Sequence, residues 1–425
     1  MIITRKIQIH PDCIALKKLW EVSYRCRELA NACIEQRRDR NSWGKVNIFS
    51  QKKELPLLKK VCPEFKTPAS QVLQNAVFSV DRAYKMFFTK RKKGDKEARP
   101  PKFQSRNRFF AQEYSQSETS FDLSKLGVLQ LAYGKSRRDW ILIPIADMGV
   151  FCVKTVTISQ DDVTHKWYAS LTYQVVEKAR ISGPRLYFDP GCKTSLTGIK
   201  TTGEFFEYDF NPLRKLNLST YRLIDELVSQ KDKMKNHNSP RWRRLNKRIK
   251  KLFGKIHTRT KTYLHTLANQ ILIDHPDVET FKVGDWDKRK TLADTSSQIA
   301  NRRINRAVQN NNPLGTLIEI LTYKARLRGQ EVEKFDERGS TRTCNRCTHI
   351  HEQGISPSKR QFVCEECGFS YPRDHHSCLN FVKKYEPAVW HRLPEYFPGS
   401  RRRVELAPFS FKPQVTLGYL PALAA

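Results

Sequence analysis

"TCNRCTHIHEQGISPSKRQFVCEECGFSYPRDHHSCLNF", residues 343–381, holds two Cys-x-x-Cys pairs and, soon after them, an Arg-Asp-His-His run. Zinc takes four ligands in a tetrahedron and favours thiolate. Cys344 with Cys347, and Cys364 with Cys367, form two knuckles separated by sixteen residues. That spacing fits a four-cysteine zinc site better than four unrelated thiols or a redox dithiol. Gly368 follows the second knuckle, where a tight turn favours glycine. A site of this kind is structural and leaves no position open for a substrate. Any chemistry must come from elsewhere in the chain. Cys378 falls inside an expected helix start and is not a ligand.

The 425 residues suffice for two or more domains with buried cores. Lys and Arg number 77 against 43 Asp and Glu, a formal charge of +34. A fold that tolerates this self-repulsion is matched to a polyanion, bound with strong salt dependence. No apolar run reaches the length of about 18 residues that a membrane span needs, and "MIITRKIQIH" lacks the apolar core of a signal peptide. The chain reads as cytosolic, without a membrane partner. Cys13, Cys26, Cys33, Cys62, Cys152, Cys192 and Cys378 show no paired spacing and are expected as core residues in a reducing compartment.

Along the chain, "IITRKIQIH" reads as a short strand. From Asp12 a helical pattern runs through Leu16, Leu19, Trp20, Tyr24, Leu29 and Ile34. A second helix opens near Pro68, which suits a first helical position. Its stripe is Leu73, Val77, Val80, Tyr84 and Phe87. The basic loop "TKRKKGDKEARPPKF" comes next. Beside it Phe103, Phe109, Phe110 and Tyr114 are candidates to stack on bases while the cations hold phosphates. Residues 128–178 read as strands, suggesting a small antiparallel barrel that includes the first strand, with the helices as an insertion. Beyond Pro184 come a strand ending at Asp189, a hairpin at Thr202-Gly203 and a long charged helical pair turning at "NHNSPRW". The strand "VETFKVGDW", a helix near 297–328 and the strand "EVEKFDE" lead to the knuckles. The proline-rich end is expected to be extended or disordered.

Asp189 ends one strand, Glu337 ends another and Asp374 follows the second knuckle. Singly, each is an ordinary surface acid, and Asp374 ahead of a helix is a simple N-cap. Gathered at one sheet edge of a basic chain, they suit two Mg²⁺ ions in phosphodiester cleavage.

The chain resembles the TnpB family of transposon-encoded RNA-guided nucleases, relatives of the type V CRISPR effectors, over nearly everything up to about residue 384. "FDPGCKTSLTG" looks like the first RuvC motif. "TCNRC…CEECG…RDHHSCLNF" looks like the zinc finger with the third motif, usually Arg-Asp-x-Asn-Ala-Ala. "YRCRELANACIEQRRD" and "LQNAVFSVDRAYKMFFTKRKKG…PPKF" are weaker matches to the family's helices and basic loop. The resemblance implies an α+β multidomain fold: a wedge-type β-barrel with an inserted helical recognition domain, and an RNase H-like RuvC α/β domain interrupted by the four-cysteine finger. On this sequence the wedge takes 1–11 and 108–180 and the recognition helices 12–107. RuvC takes 181–341, with a helical insert at 211–275, and again 371–384. The finger takes 342–370 and a tail 385–425. Structural Zn²⁺, catalytic Mg²⁺, a guide RNA and a double-stranded DNA target follow from the same resemblance.

One departure stands out. Many relatives carry the second RuvC acid in a Val-Val-Glu-Asp-Leu-like strand, whereas "KVGDW" here places Gly284 where glutamate is expected. Some members use a glutamate just before the finger, which Glu337 matches; Asp285 and Glu333 are the competing substitutes. His375 and Cys378 also depart from the usual third motif. The leading reading is an RNA-guided DNA endonuclease with Asp189, Glu337 and Asp374 as its metal-holding acids. A nuclease-inactive RNA-guided repressor on the same fold is the alternative, and a zinc-dependent DNA-binding protein without RNA is the third.

Overall fold

Strand β1 (Ile2–Ile9) alternates partly buried and exposed side chains, the period of a half-covered sheet. It pairs antiparallel with β7 (Trp167–Gln174), Ile9 opposite Trp167. The computed structural model describes residues 1–39, 46–146, 152–191, 194–286, 312–352 and 359–393, with the backbone of 401–404. Met1–Val175 form one compact unit and Val176 begins another.

In the first unit, Asp12 caps helix α1 (Cys13–Arg38) by accepting from the Ala15 N–H at 2.7 Å. No proline or glycine interrupts the helix, and Arg37 and Arg38 lie in its last turn, where the helix dipole favours cations. Its buried stripe is Ala15, Leu19, Val22, Cys26, Leu29 and Cys33, so Leu16 and Trp20 only flank the core. Helices α2 (Ile48–Lys53) and α3 (Leu55–Val61) follow. Helix α4 (Ser70–Lys92) buries Leu73, Val77, Val80 and Tyr84 as their spacing predicts. Fully burying side chains of this size contributes about 1.5–3 kcal/mol each. Pro68 is not the first helical residue; it bridges to Tyr133, and α4 starts two residues later.

The strands of this unit are β2 (Gln112–Tyr114), β3 (Phe121–Asp122), β4 (Val128–Leu131), β5 (Ile141–Pro144) and β6 (Val153–Gln160), with β7. Among the described residues they do not close into the expected barrel. They form two open sheets, β1-β7-β6-β2 and β3-β4-β5. One link between them is the turn after Tyr114, where Glu118 adopts φ 65° and the chain leaves one sheet before pairing in the other. The expected stacking aromatics are mostly structural. Tyr114 is fully buried, and Phe109 packs edge-on against Trp20 and Trp167. Phe110 also lies against the core, whereas Phe103 is exposed with Arg38 over its ring. The basic loop begins as helix, since α4 continues to Lys92. Not all scattered cysteines are core: Cys26, Cys33 and Cys378 are buried, Cys62 is half-buried, and Cys13 and Cys152 are exposed. Cys192 lies outside the described residues.

The second unit holds a six-stranded sheet in the order β12-β11-β8-β9-β10-β15. Its strands are β8 (Arg185–Pro190), β9 (Leu196–Lys200), β10 (Phe205–Tyr208), β11 (Thr280–Gly284), β12 (Glu331–Phe335) and β15 (Arg401–Val404). β8, β9 and β10 form an antiparallel meander, while β11 and β12 run parallel to β8. The crossover into β11 is the helix pair α5 (Asn211–Asp232) and α6 (Pro240–Asp274), and α7 (Leu314–Arg326) leads into β12. The part of that last helix expected before residue 312 lies outside the described residues.

Strand periodicity divides the sheet's faces. Leu186, Phe188, Phe281 and Val283 meet Leu267 and Ile271 of α6 and Leu317 of α7. On the other face Tyr187, Ile199 and Phe205 meet Cys378, Leu379 and Val382 of helix α8 (Arg373–Tyr385). Between β12 and α8 lie the knuckles and the hairpin β13 (Gln361–Val363) and β14 (Ser370–Pro372). The tail is not wholly unstructured: helix α9 (Pro387–Trp390) follows α8, and β15 adds a parallel edge strand to β10. Residues 394–400 and 405–425 lie outside the description. No helix among the described residues is long and apolar enough to cross a membrane.

Candidate active site and four-cysteine centre

Because β8, β11 and β12 are mutually parallel, their carboxyl ends share one edge, the edge at which open α/β sheets place their sites. Phe188 pairs with Val283 and Gly284 with Phe335, so Asp189 and Gly284 sit level at that edge. Side chains alternate along a strand. Asp189 has the parity of Tyr187 and faces α8, as does position 284, since Phe281 and Val283 face the other way. Glu337 has the parity of Phe335, which also packs on the α8 face, although β12 ends at Phe335 and Glu337 stands two residues beyond it.

Gly284 and Glu337 occupy one place. A Cβ built on Gly284 would overlap Glu337 Oε2 and lie 3.0 Å from Pro190 Cδ. The glycine leaves the room that the Glu337 carboxylate fills. Glu337 Oε2 is buried with no hydrogen-bond partner, an expensive state for a carboxylate oxygen. Burial, with Asp285 and Asp336 nearby, raises the Glu337 carboxyl to about 7. Asp189 is raised well above the usual carboxylate range, first by burial, then by the charges of Glu337 and Asp374. The neighbouring Ser377 hydroxyl and the charge of Arg373 oppose the shift.

The competing acids are engaged elsewhere. Asp285 lies past the end of β11, exposed and paired with Lys334 at 2.9 Å. Glu333 pairs with Lys282, which holds its carboxyl below the usual range. Asp374 is the second residue of α8, not its N-cap, which is Pro372. Its carboxylate accepts from Arg360 of β13's approach. His375 and Cys378 take packing roles. His375 lies against Phe205 and 3.1 Å from Glu207, and the buried Cys378 thiol points to the Thr197 carbonyl at 3.3 Å.

The four cysteines converge as their spacing predicts, all sulfurs lying within 4.8 Å of one another. Cys344 and Cys367 are 3.8 Å apart and Cys347 and Cys364 3.5 Å, close to the edge of a tetrahedron with metal–sulfur bonds of about 2.3 Å. The backbone N–H of Phe369 helps bring the Cys367 thiol down to about 7. Among the described residues no other group of three or more potential ligands is this tight, and the three carboxylates are spaced more loosely.

A row of donors on α8 went unread in the sequence. Ser377 donates to Ser340 Oγ, Asn380 to the Ser340 and Thr343 carbonyls, Lys383 to the Asn345 carbonyl and Tyr385 to the Asp336 carbonyl, all at 2.6–2.8 Å. His376 accepts from the Asn345 N–H at 3.3 Å and stacks on Phe362 with centroids 3.6 Å apart. This row fastens the Glu337 loop and the first knuckle to the helix of Asp374. The available signal was the polar set His376, Ser377 and Asn380 on a helix that is otherwise buried.

A sheet with acids at its parallel strand ends, joined to a four-cysteine module, is an α+β fold shared with the compact CRISPR effectors. The structure of a Cas12f1–sgRNA–target DNA complex superposes over 89% of this chain and 98% of that one, with a TM-score of 0.59 at 12% identity. The mini RNA-guided endonuclease CRISPR-Cas_phi3 does so over 94% of each chain, with a TM-score of 0.55 at 10% identity. Residues 315–381 match the Cas12f1-like TNB domain family. An Escherichia coli (strain K12) protein named a candidate RNA-guided DNA endonuclease, InsQ, is 28% identical over 75% of both chains. An Acanthamoeba polyphaga mimivirus protein named a candidate transposase is 29% identical over 56% of this chain. The present chain spans 47% of that viral relative's length. Domain, relatives and fold together support a TnpB-family assignment.

Proposed function

We propose that this chain is an RNA-guided DNA endonuclease of TnpB type, cutting target DNA at a RuvC-type site formed by Asp189, Glu337 and Asp374. The observation that carries this reading is the buried, unpartnered Glu337 Oε2 in the place that Gly284 leaves clear, beside Asp189. A third acid at that edge is what the inactive-repressor alternative lacks. The strand order, a meander extended by two parallel strands, supports the RNase H-like assignment of 181–341 and 371–384. The sheets of the first unit would be the wedge, 1–11 with 108–180, and the helices within 12–107 the recognition domain. Cys344, Cys347, Cys364 and Cys367 would hold structural Zn²⁺.

The donor set at the edge is all carboxylate, which suits hard Mg²⁺. Asp189, Glu337 and Asp374 would hold it, and bound Mg²⁺ supplies water activation and charge stabilisation at the leaving oxygen. The residues around the acids handle the phosphate. A cavity of about 280 Å³ opens beside Glu337, lined in part by Arg338, Ser340, Asn380, Lys383 and Lys384. Its cations would hold a strand next to the acids. Helix α6 carries ten Lys and Arg, and its single acid, Asp274, is its last residue. This helix and, separately in the first unit, the exposed Lys90, Arg91, Lys92 and Lys93 would each offer phosphate-binding surface.

The test begins by sequencing RNA that copurifies with the chain, then challenging the complex with guide-matched duplex DNA. Asp189→Ala is expected to keep guided binding and lose Mg²⁺-dependent cleavage. Cleavage at the parental rate would overturn the RuvC reading, and absence of a bound RNA would overturn the guided one. Charge reversal at Lys90, Arg91, Lys92 and Lys93 should weaken RNA or DNA binding, its log–log salt slope flattening by about 0.7–0.9 for each phosphate no longer neutralised. An unchanged slope, measured by filter binding across salt, would return that run to a solvated surface.

A further inference from the structure

Between α4 and β2, residues 98–111 form neither helix nor strand, so their backbone needs partners from elsewhere. Helix α1 supplies them. Arg38 donates to the Pro101 carbonyl, and Arg27 to the Arg106 carbonyl at 2.8 Å. The Asn31 amide donates to the Gln104 carbonyl at 3.2 Å and accepts from the Gln104 N–H at 2.8 Å. Ser23 Oγ accepts from the Phe110 N–H at 2.7 Å. Ser23, Arg27, Asn31 and Arg38 recur at four, four and seven, one stripe of α1 about 22 Å long. The segment runs along that stripe in the opposite direction, as a strap. Holding a strap needs only its backbone, and leaves its outward side chains unexplained. Phe103 is 51% exposed, with the Arg38 guanidinium 4.6 Å from its ring centroid. Lys102 and Arg106 are exposed and form no ion pair among the described residues, whereas Arg108 is neutralised by Asp162 at 2.8 Å. No Asp or Glu occurs within 98–111.

We propose that Lys102, Phe103 and Arg106 form a binding strip for an unpaired stretch of nucleic acid, one base stacking on Phe103 while the two cations hold phosphates. Duplex phosphates need cations alone, and paired bases show a protein only their edges. An exposed ring finds a base face only where the strand is unstacked. The guanidinium over one side of Phe103 fixes the ring for that contact. Lys102 and Arg106 stand four residues apart, within about 14 Å of extended chain, on either side of the ring. The grip of α1 serves the strip in two ways. It orders the strap before any ligand arrives, which removes that entropy from the cost of binding. It also works without acids. Arg27, only 4% exposed, is directed at a carbonyl and lies 4.8 Å from the Tyr24 ring, so the field along the strip stays positive. All these residues belong to the first unit, and the strip needs none of the three acids of the second.

The experiment is a fluorescence anisotropy titration of the full chain, freed of nucleic acid on heparin at high salt. Its probes are oligouridylate and oligothymidylate of about twelve nucleotides and a duplex DNA of the same length, across a salt series. Phe103→Ala should weaken single-strand binding at least about fivefold at every salt concentration, with duplex binding unchanged. Phe103→Trp should bind single strands as the parent does. Phe103→Leu, which keeps the apolar bulk and loses the aromatic face, should bind them as Phe103→Ala does. Lys102→Gln with Arg106→Gln should flatten the single-strand salt slope by about 0.7 for each phosphate released. Asn31→Ala frees Gln104 without touching the ligand; it should weaken single-strand binding in the parent and add nothing in the Phe103→Ala background. A loss confined to oligouridylate assigns the strip to RNA, and one confined to oligothymidylate assigns it to a DNA strand. If Phe103→Leu binds single strands as the parent does, or if Phe103→Ala weakens duplex and single strands equally, no base stacks on the ring and the inference falls.

Discussion

Glu337→Ala is expected to abolish cleavage and leave guided DNA binding intact, while Asp285→Ala is expected to cut as the parent does. The expected loss exceeds the roughly hundredfold that removal of an outer partner of a metal site costs, because a ligand itself is removed. Asp285 is exposed and paired with Lys334, so its removal takes away none of the three site acids, only a charge that helps hold the Glu337 carboxyl up. The matching test in the other direction is Gly284→Ala, whose new methyl overlaps Glu337 Oε2 and should drive the carboxylate out of place. Gly284→Glu combined with Glu337→Gly should recover activity by restoring the usual acid and clearing its neighbour. The pH dependence has a defined sign. Metal needs the ionised acids, so cleavage should climb as pH rises through about 7, where the Glu337 carboxyl titrates. The folded carboxyl is more basic than the ordinary glutamate value of 4.5. In the metal-free chain its contribution to stability is therefore full below 4.5 and is lost as pH rises from there through about 7. Parental cleavage by Glu337→Ala, measured on guide-matched duplex, would move the third acid elsewhere.

Cys364→Ser, or Cys344→Ser, is expected to unfold the finger. The module's own core is Cys344, Phe362 and Cys364, with Cys347, Cys367 and Phe369 half-buried around them. So small a cluster cannot offset the ordering of its chain without a staple. Structural zinc provides about 10–16 kcal/mol in finger peptides near neutral pH, which makes this the largest single stabilising interaction expected in the second unit. Elemental analysis should find the zinc gone, and limited proteolysis should cut between residues 342 and 370 while the sheet around Phe188 and Phe281 stays protected. Damage should then pass to the acids, since Asn345 in the first knuckle is bound by both His376 and Lys383 of α8. Zinc retained at the parental level in both variants would sink the four-cysteine assignment.

The sequence by itself determined what depends on short range. Knuckle spacing brought four thiols together, since two residues between cysteines fix a local turn whatever surrounds it. The step of threes and fours through Leu73, Val77, Val80 and Tyr84 fixed a helix and its buried face. Alternation also set which face the side chains of the strand ending at Asp189 take, because the period of a strand is local too. The tertiary structure decided the rest. The strands of the first unit parted into two open sheets at a turn where Glu118 takes a positive φ, a conformation that no residue pattern announced. Tyr114, Phe109 and Phe110 looked like stacking platforms, but burial against Trp20 and its neighbours claimed them. Above all, the fit of Glu337 into the space of Gly284, and the hydrogen bond from Ser377 to Ser340, join residues more than thirty positions apart. Parallel pairing of β11 with β12 and the docking of α8 bring those residues together, so their meeting depends on chain closure over long distances, about which local spacing carries no information.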